Sequence, residues 1–259
     1  MEETNVGKIN DHYDFYMFDG DRSNTTRYMN TLGFHNNGYW KGGHNSLEHA
    51  QIDLIETLVG FFVDKRGSVL DVACGKGAST RFLTKYFDAR RIIGINISEK
   101  QLEVGRLVAP TCDFRTMDAT SLEFPNASID NVLCIEAAFH FNTREQFLRE
   151  AYRVMRPGGR FAASDVLMYS KASSSPLFPK ENYLPRLDDL KDMLLKVGFS
   201  YVRVEDSSEQ GHKPFLRYLC DRLERDVTME TDVAMNLSQQ ILRLGLDSHI
   251  ASCMIYAVK

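Results

Sequence analysis

Apolar positions along the chain switch repeatedly between two periods. In "NSLEHAQIDLIETLVGFFV" they fall at 47, 54, 55, 58, 59 and 62, the spacing of one helix face. "SVLDVAC" is instead a short, continuous, β-branched run, the pattern of a buried strand. Helical period returns in "STRFLTKYF", and "RIIGINI" reads as a second strand. The alternation then repeats: helix in "SEKQLEVGRLVA", weaker strand in "CDFRTMDA", strand in "IDNVLCIEAAF", helix in "TREQFLREAYRVM", strand in "RFAASDVLM". Ser98 and Thr143 stand where N-caps are expected, and Asn45 with Glu48 could form a capping box. "RPGG" should stop the helix before it. Further on, "LPRLDDLKDMLLKVG" reads as a helix, "YVRVEDS" as a strand, 212–245 as two helices and "IASCMIYAV" as a last strand.

Strands alternating with helices of this length require right-handed crossovers and a parallel sheet. The fold class is therefore α/β and Rossmann-like, with helices on both faces. The last strand, reached without a regular crossover, is expected either antiparallel at the edge or inserted beside its predecessor. One α/β domain is expected over 45–259. Residues 1–44 are read as an N-terminal helical lid segment. An insertion after the fifth strand, about 168–185, is read as a substrate wall.

A chain of 259 residues suits one large domain and buries enough surface to need no cross-links. The charge balance is 31 basic against 35 acidic residues, a net −4, so no bulk positive field recruits nucleic acid or anionic membrane. A small-molecule partner is expected instead. No run approaches 18 apolar residues, and the N-terminus lacks the apolar core of a signal peptide. The cysteines at 74, 112, 134, 220 and 253 form no CxxC pair, which suggests neither zinc nor a redox motif. A reducing, cytoplasmic setting is the expectation. Oligomeric state is left open, a homodimer included.

The chemistry centres on "VLDVACGKGAST". In open parallel sheets ligands bind beyond the carboxyl ends of the strands, where this loop leaves the first one. Gly75 and Gly77 permit a sharp turn and close approach of a ligand; a plain strand-to-helix turn is the alternative. The third glycine of a dinucleotide fingerprint is replaced by Thr80, and no P-loop spacing is present. Asp71 at the strand end would repel a phosphate but would hold an ammonium group, which favours a ligand with an amino-acid tail.

With "GINIS", "FRTMDATSLEFPNASIDNVLCIEAAFHF" and "EAYRVMRPGGRFAASD", this loop resembles the class I S-adenosylmethionine-dependent methyltransferases. The likeness runs in order over about 45–167. It is nearest the small-molecule branch with the sugar and natural-product O-methyltransferases. It implies a seven-stranded sheet whose last strand is antiparallel, and S-adenosyl-L-methionine as cofactor, with S-adenosyl-L-homocysteine as product. It also implies that Asp71, Cys74, Gly75 and Gly77 cradle the methionine part. The ribose acid at the end of the second strand is here Asn96, with Gln101 one turn onward as a helper. Asp118 and Ala119 match the residues at the adenine edge, and Glu136 closes the fourth strand at the cofactor. A turn or capping role is the alternative for Asp118.

If the acceptor is a hydroxyl, its proton must leave, and a histidine is the fitting base. Of seven histidines, His140 directly follows a strand end, in "EAAFHF". Asp165 ends the neighbouring strand and could orient His140 or bind the acceptor. In the resembling sugar O-methyltransferases a histidine and an aspartate hold these two places. Packing or capping roles remain open for both. Trp40, in "NNGYWKGGHNS", suits a lid over a sulfonium or an anchor for the N-terminal segment. His12, Tyr13 and Tyr16 reach the site only if the N-terminus folds back. No metal is indicated, since no cluster of suitable ligands is present. The leading reading is methyl transfer to a hydroxyl of a small molecule such as a sugar, a glycoside or another natural product. C- or N-methylation of a small metabolite and a non-catalytic cofactor-binding protein are the alternatives.

Overall fold

The computed structural model describes residues 5–19, 33–41, 43, 46–169, 177–225, 235, 239 and 250–259. Asn45, His44, most of 168–176 and, apart from the helical residues 235 and 239, the second helix expected within 212–245 lie outside the described residues. Seven strands form one sheet: β1 (Val69–Val72), β2 (Ile92–Asn96), β3 (Asp113–Thr116), β4 (Ile129–Ile135), β5 (Met155–Met168), β6 (Tyr201–Asp206) and β7 (Ile250–Val258). Their order is β3-β2-β1-β4-β5-β7-β6. The first five are parallel, while β7 runs antiparallel between β5 and β6. Of the two placements expected for the last strand, insertion is the one found. The chain order reverses between β1 and β4, and a switch point there opens a crevice at the carboxyl ends.

β1 sits in the middle, and all four of its residues are buried. Apolar clusters cover both faces of the sheet. One includes Leu70, Val132, Phe147 and Phe161; the other includes Leu54, Leu58, Leu83 and Tyr256. The described α-helices are α1 (Asn5–Asp14), which runs on into a π-helical turn (Phe15–Asp19), α2 (Leu47–Val59), α3 (Ala78–Leu83), α4 (Glu99–Val108), α5 (Arg144–Val154), α6 (Leu187–Val197) and α7 (His212–Glu224), joined in places by short 3-10 turns. The expected caps form: Ser98 Oγ accepts from Gln101 N–H at 3.1 Å and Thr143 Oγ1 from Gln146 N–H at 3.3 Å. The helix stops before "RPGG", as expected, and the segment itself continues as β5 from Met155, with Gly158 at φ 77°.

Candidate active site

The crevice encloses about 1160 Å³ of non-protein space including its mouth. The ends of β1, β2 and β4 line it, together with residues of α1 and the 33–36 segment. Two of its lining residues, Ala73 at φ 57° and Glu136 at φ 47°, hold the left-handed backbone that residues with a Cβ rarely adopt. Such strain, about 1–3 kcal/mol each, concentrates at functional sites. The local sequence explains where it falls: each residue ends or follows a strand that must turn sharply toward the crevice.

Asp71 is 1% exposed, and its Oδ2 accepts from the Ser79 and Thr80 hydroxyls at 2.7 Å each. Thr80, the residue that breaks the dinucleotide fingerprint, thus helps to hold the acid. Burial pushes the Asp71 carboxyl up to about 6, against the opposing pull of those two hydroxyls. A buried acid held only by neutral donors favours a cation as its next partner. Gly75, at φ 55°, lines the crevice, and Cys74 N–H is bound to Ile95 O at 3.0 Å.

Across the crevice, Asp118 Oδ1 accepts from the backbone and hydroxyl of Thr120 at 2.8 Å each. One oxygen of this acid therefore serves the turn that the sequence allowed for it, and Asp118 and Ala119 both line the space. Glu136 Oε2 accepts from Asn37 N–H at 2.9 Å. Burial pushes the Glu136 carboxyl up to about 7, countered by that backbone donor and assisted by the charge on Asp165. Asn96 Nδ2 donates to Gln101 Oε1 at 2.9 Å, and both residues line the crevice.

His140 is buried at the crevice wall. Its Nδ1 lies 2.8 Å from Leu177 O and its Nε2 lies 2.6 Å from the Tyr13 hydroxyl. A carbonyl only accepts, so Nδ1 carries the proton and the Nε2 lone pair accepts from Tyr13. Burial lowers the His140 pKa to about 4, outweighing the opposing Leu177 carbonyl; nearby His12 lowers it further. The imidazole is therefore neutral at physiological pH.

Three residues expected at the site are placed elsewhere. Asp165 does not meet the His140 ring. Its Oδ2 accepts from Arg144 Nε at 2.7 Å and its Oδ1 from Phe139 N–H at 3.1 Å, with Asp165 and Arg144 at 0% and 1% exposure. Arg144 also donates to Asn182 O and Val166 O, and Asn182 Nδ2 donates to Phe139 O and Phe141 O. A buried carboxylate takes the strongest charged partner within reach, and a guanidinium outbids a neutral imidazole. The network holds the turn that carries His140, while the Leu177 carbonyl orients the ring.

Of the two roles open for Trp40, lid or anchor, its contacts are those of an anchor. Its ring lies 5.4 Å from that of Tyr218, in an apolar cluster with Leu47, Phe215 and Leu219. Its Nε1–H donates to Asn37 O at 2.8 Å, which steadies the residue that binds Glu136. Gly77 does not line the crevice. It is the left-handed N-cap of α3 at φ 78°, and a Cβ there would come within 2.9 Å of Gly105 Cα. It serves the packing of α3 on α4.

The N-terminus folds back, as Tyr13 required. Lys76 Nζ donates to Met17 O at 2.5 Å, and the Lys76 and Lys100 ammonium groups lie 4.1 and 4.3 Å from the Phe18 ring centre. Tyr16's side chain lies outside the described residues. Sequence reasoning missed Arg144, Asn182 and His35. Only Arg144 carried a signal: an arginine in the first turn of a helix, where the dipole disfavours it, asks for a buried acid.

Residues 70–163 match the methyltransferase domain family. The O-methyltransferase cnsE of Penicillium expansum is 32% identical over 188 residues, spanning 68% of this chain and 65% of that one. Erythromycin 3''-O-methyltransferase of Saccharopolyspora erythraea is 26% identical over 254 residues, 89% of this chain and 80% of that one. Among solved structures, the cyclopropane synthase MmaA2 from Mycobacterium tuberculosis aligns with a TM-score of 0.77 at 16% identity, over 100% of this chain and 99% of that one. The domain and the relatives define an S-adenosylmethionine-dependent methyltransferase, and the sheet has the class I methyltransferase fold.

The crevice fits that family's cofactor. Asp71 is a buried acid suited to an ammonium group, and His35 Nε2 is buried in the lining with no hydrogen-bond partner among the described residues. Asp71 suits the ammonium group of an amino-acid tail, and a neutral His35 can offer one N–H to its carboxylate. Burial, reinforced by the charge on Lys76, lowers the His35 pKa to about 4.

Proposed function

We propose that this chain transfers a methyl group from S-adenosylmethionine to a hydroxyl of a small natural-product molecule, with His140 as general base. The carrying observation is the Nε2 lone pair of His140, which accepts from the Tyr13 hydroxyl at 2.6 Å inside the cofactor crevice. Tyr13 stands in for an acceptor hydroxyl, whose proton Nε2 is oriented to take. The names of the two curated relatives support oxygen as the methylated atom.

The cofactor supplies an electrophilic methyl on a sulfonium. The protein supplies the remainder. Asp71, Cys74 and Gly75 would hold the amino-acid tail, Asn96 the ribose, and Asp118 with Ala119 the adenine. Fixed positions place the acceptor for in-line attack, worth several orders of magnitude in rate. Leu177 O holds the Nδ1 proton, so the tautomer is set before the acceptor arrives. The 5–19 segment acts as a lid, with Tyr13 withdrawing from His140 as the acceptor enters and Met17 and Phe18 staying on the two lysines. The 177–184 segment stands behind His140, which it meets through the Leu177 carbonyl.

His140→Ala tests the assignment. Turnover should fall at least about a hundredfold, with S-adenosylhomocysteine affinity within about twofold of wild type by calorimetry. An unchanged rate removes the base role and points to C- or N-methylation. A wild-type protein that binds the cofactor product but methylates nothing in a metabolite panel defeats the catalytic reading.

A further inference from the structure

The amide at position 96 poses a problem of chemistry. An amide can present either its oxygen or its nitrogen to a ribose hydroxyl, and only the oxygen reproduces what a carboxylate does there. The structure settles which end faces outward through a chain of two hydrogen bonds that begins on the N-terminal helix.

Asp14 is the last residue of α1. Its Oδ1 accepts from Ser98 Oγ at 2.7 Å and from Gln101 Nε2 at 2.8 Å. An ionised carboxylate only accepts, so Gln101 must turn its NH₂ toward Asp14. Gln101 Oε1 then faces the other way and takes Asn96 Nδ2 at 2.9 Å. Asn96 Oδ1, which has no hydrogen-bond partner among the described residues, is left for the crevice that Asn96 lines. Reversing any amide in this chain would set two donors or two acceptors face to face.

At Asp14 the α-helix passes directly into the π-helical turn Phe15–Asp19. The Asp14 carboxylate reaches the N-terminus of α4, beside the Ser98 cap, where negative charge is favoured.

We propose that Asp14 is a positioning residue for the cofactor: through Gln101 it holds Asn96 with its oxygen toward the ribose hydroxyls, so that the N-terminal helix completes the ribose grip. This role rests on the crevice holding S-adenosylmethionine as described above. It also makes docking of α1 and cofactor binding mutually dependent, since each favours the arrangement the other needs.

Calorimetric titration with S-adenosylhomocysteine tests it. Asp14→Ala should weaken binding about tenfold, the size of one well-oriented hydrogen bond lost together with its preorganisation. Asn96→Asp placed in the Asp14→Ala background should bring affinity back to within about threefold of wild type, because a carboxylate needs no orienting partner. Gln101→Leu cuts the same chain at its middle and should show the same loss and the same rescue, which covers the case of one variant failing to fold. Wild-type affinity in Asp14→Ala overturns the proposal. So does a loss that Asn96→Asp leaves unrepaired, because the helix would then act by covering the crevice and not through Asn96. A wild-type protein that fails to bind S-adenosylhomocysteine sinks the cofactor assignment itself and is told apart by that control.

Discussion

Replacing Asp165 by asparagine separates a structural acid from a catalytic one. The change keeps the shape and the bond from Phe139 N–H, but leaves the Arg144 guanidinium, 1% exposed, without its counter-charge. Breaking a buried ion pair in this way costs about 3–5 kcal/mol, because the orphaned charge stays desolvated. Unfolding entropy of roughly 2.1 cal/mol/K per residue converts about 4 kcal/mol into a melting-point drop of about 7 °C for a chain of 259 residues. The exposed pair Arg149–Glu145, about half accessible on each side, is the internal control; Glu145→Gln should move the melting point by less than about 1 °C. Calorimetric melting or urea titration reads both. Arg144→Met combined with Asp165→Leu removes both charges at once and should recover most of the loss. Turnover of Asp165→Asn, assayed well below its melting point, should fall less than about tenfold, with an unchanged pH profile. A variant that melts like wild type yet loses about a hundredfold in turnover would refute this account and return Asp165 to the reacting groups.

Two other outcomes follow from the titrating groups. With cofactor saturating, kcat/KM for the acceptor should be flat between about pH 5.5 and 7 as far as His140 is concerned, since its pKa of about 4 leaves the base neutral there. Activity is present above that value and lost as pH falls through it, so an acid limb at an ordinary histidine pKa would contradict the buried, neutral imidazole. Asp71→Asn should abolish most binding of S-adenosylhomocysteine, at least about tenfold, while raising the melting point of the cofactor-free protein at pH 7.5. The sign follows from linkage. The folded value of about 6 exceeds the ordinary 3.8, so the unfolded chain binds fewer protons between them, and stability falls as pH rises through that window. Melting curves of the two proteins should converge near pH 4, and equal stability at pH 7.5 would argue against the buried charge.

Much of the fold and part of the site is legible in the residue order alone. Each α/β unit announces itself by a change of apolar period, and Ser98 and Thr143 cap where expected because capping is a contact over three residues. The loop proposed to hold the cofactor is likewise local: Asp71, Cys74 and Gly75 lie within five residues of one another. Pairing across the fold was decided only by the tertiary structure. Asp165 chose Arg144 over His140 because both charges are buried together, a fact of packing that no spacing along the chain encodes. The Tyr13 and Leu177 groups that fix the tautomer of His140 lie 127 and 37 residues from it, and the Asp14 that orients Gln101 lies 87 residues away. Short-range propensities set the elements and the turn at the crevice, whereas the partners of buried polar groups depend on which distant segments are brought within about 3 Å, the range over which a hydrogen bond acts.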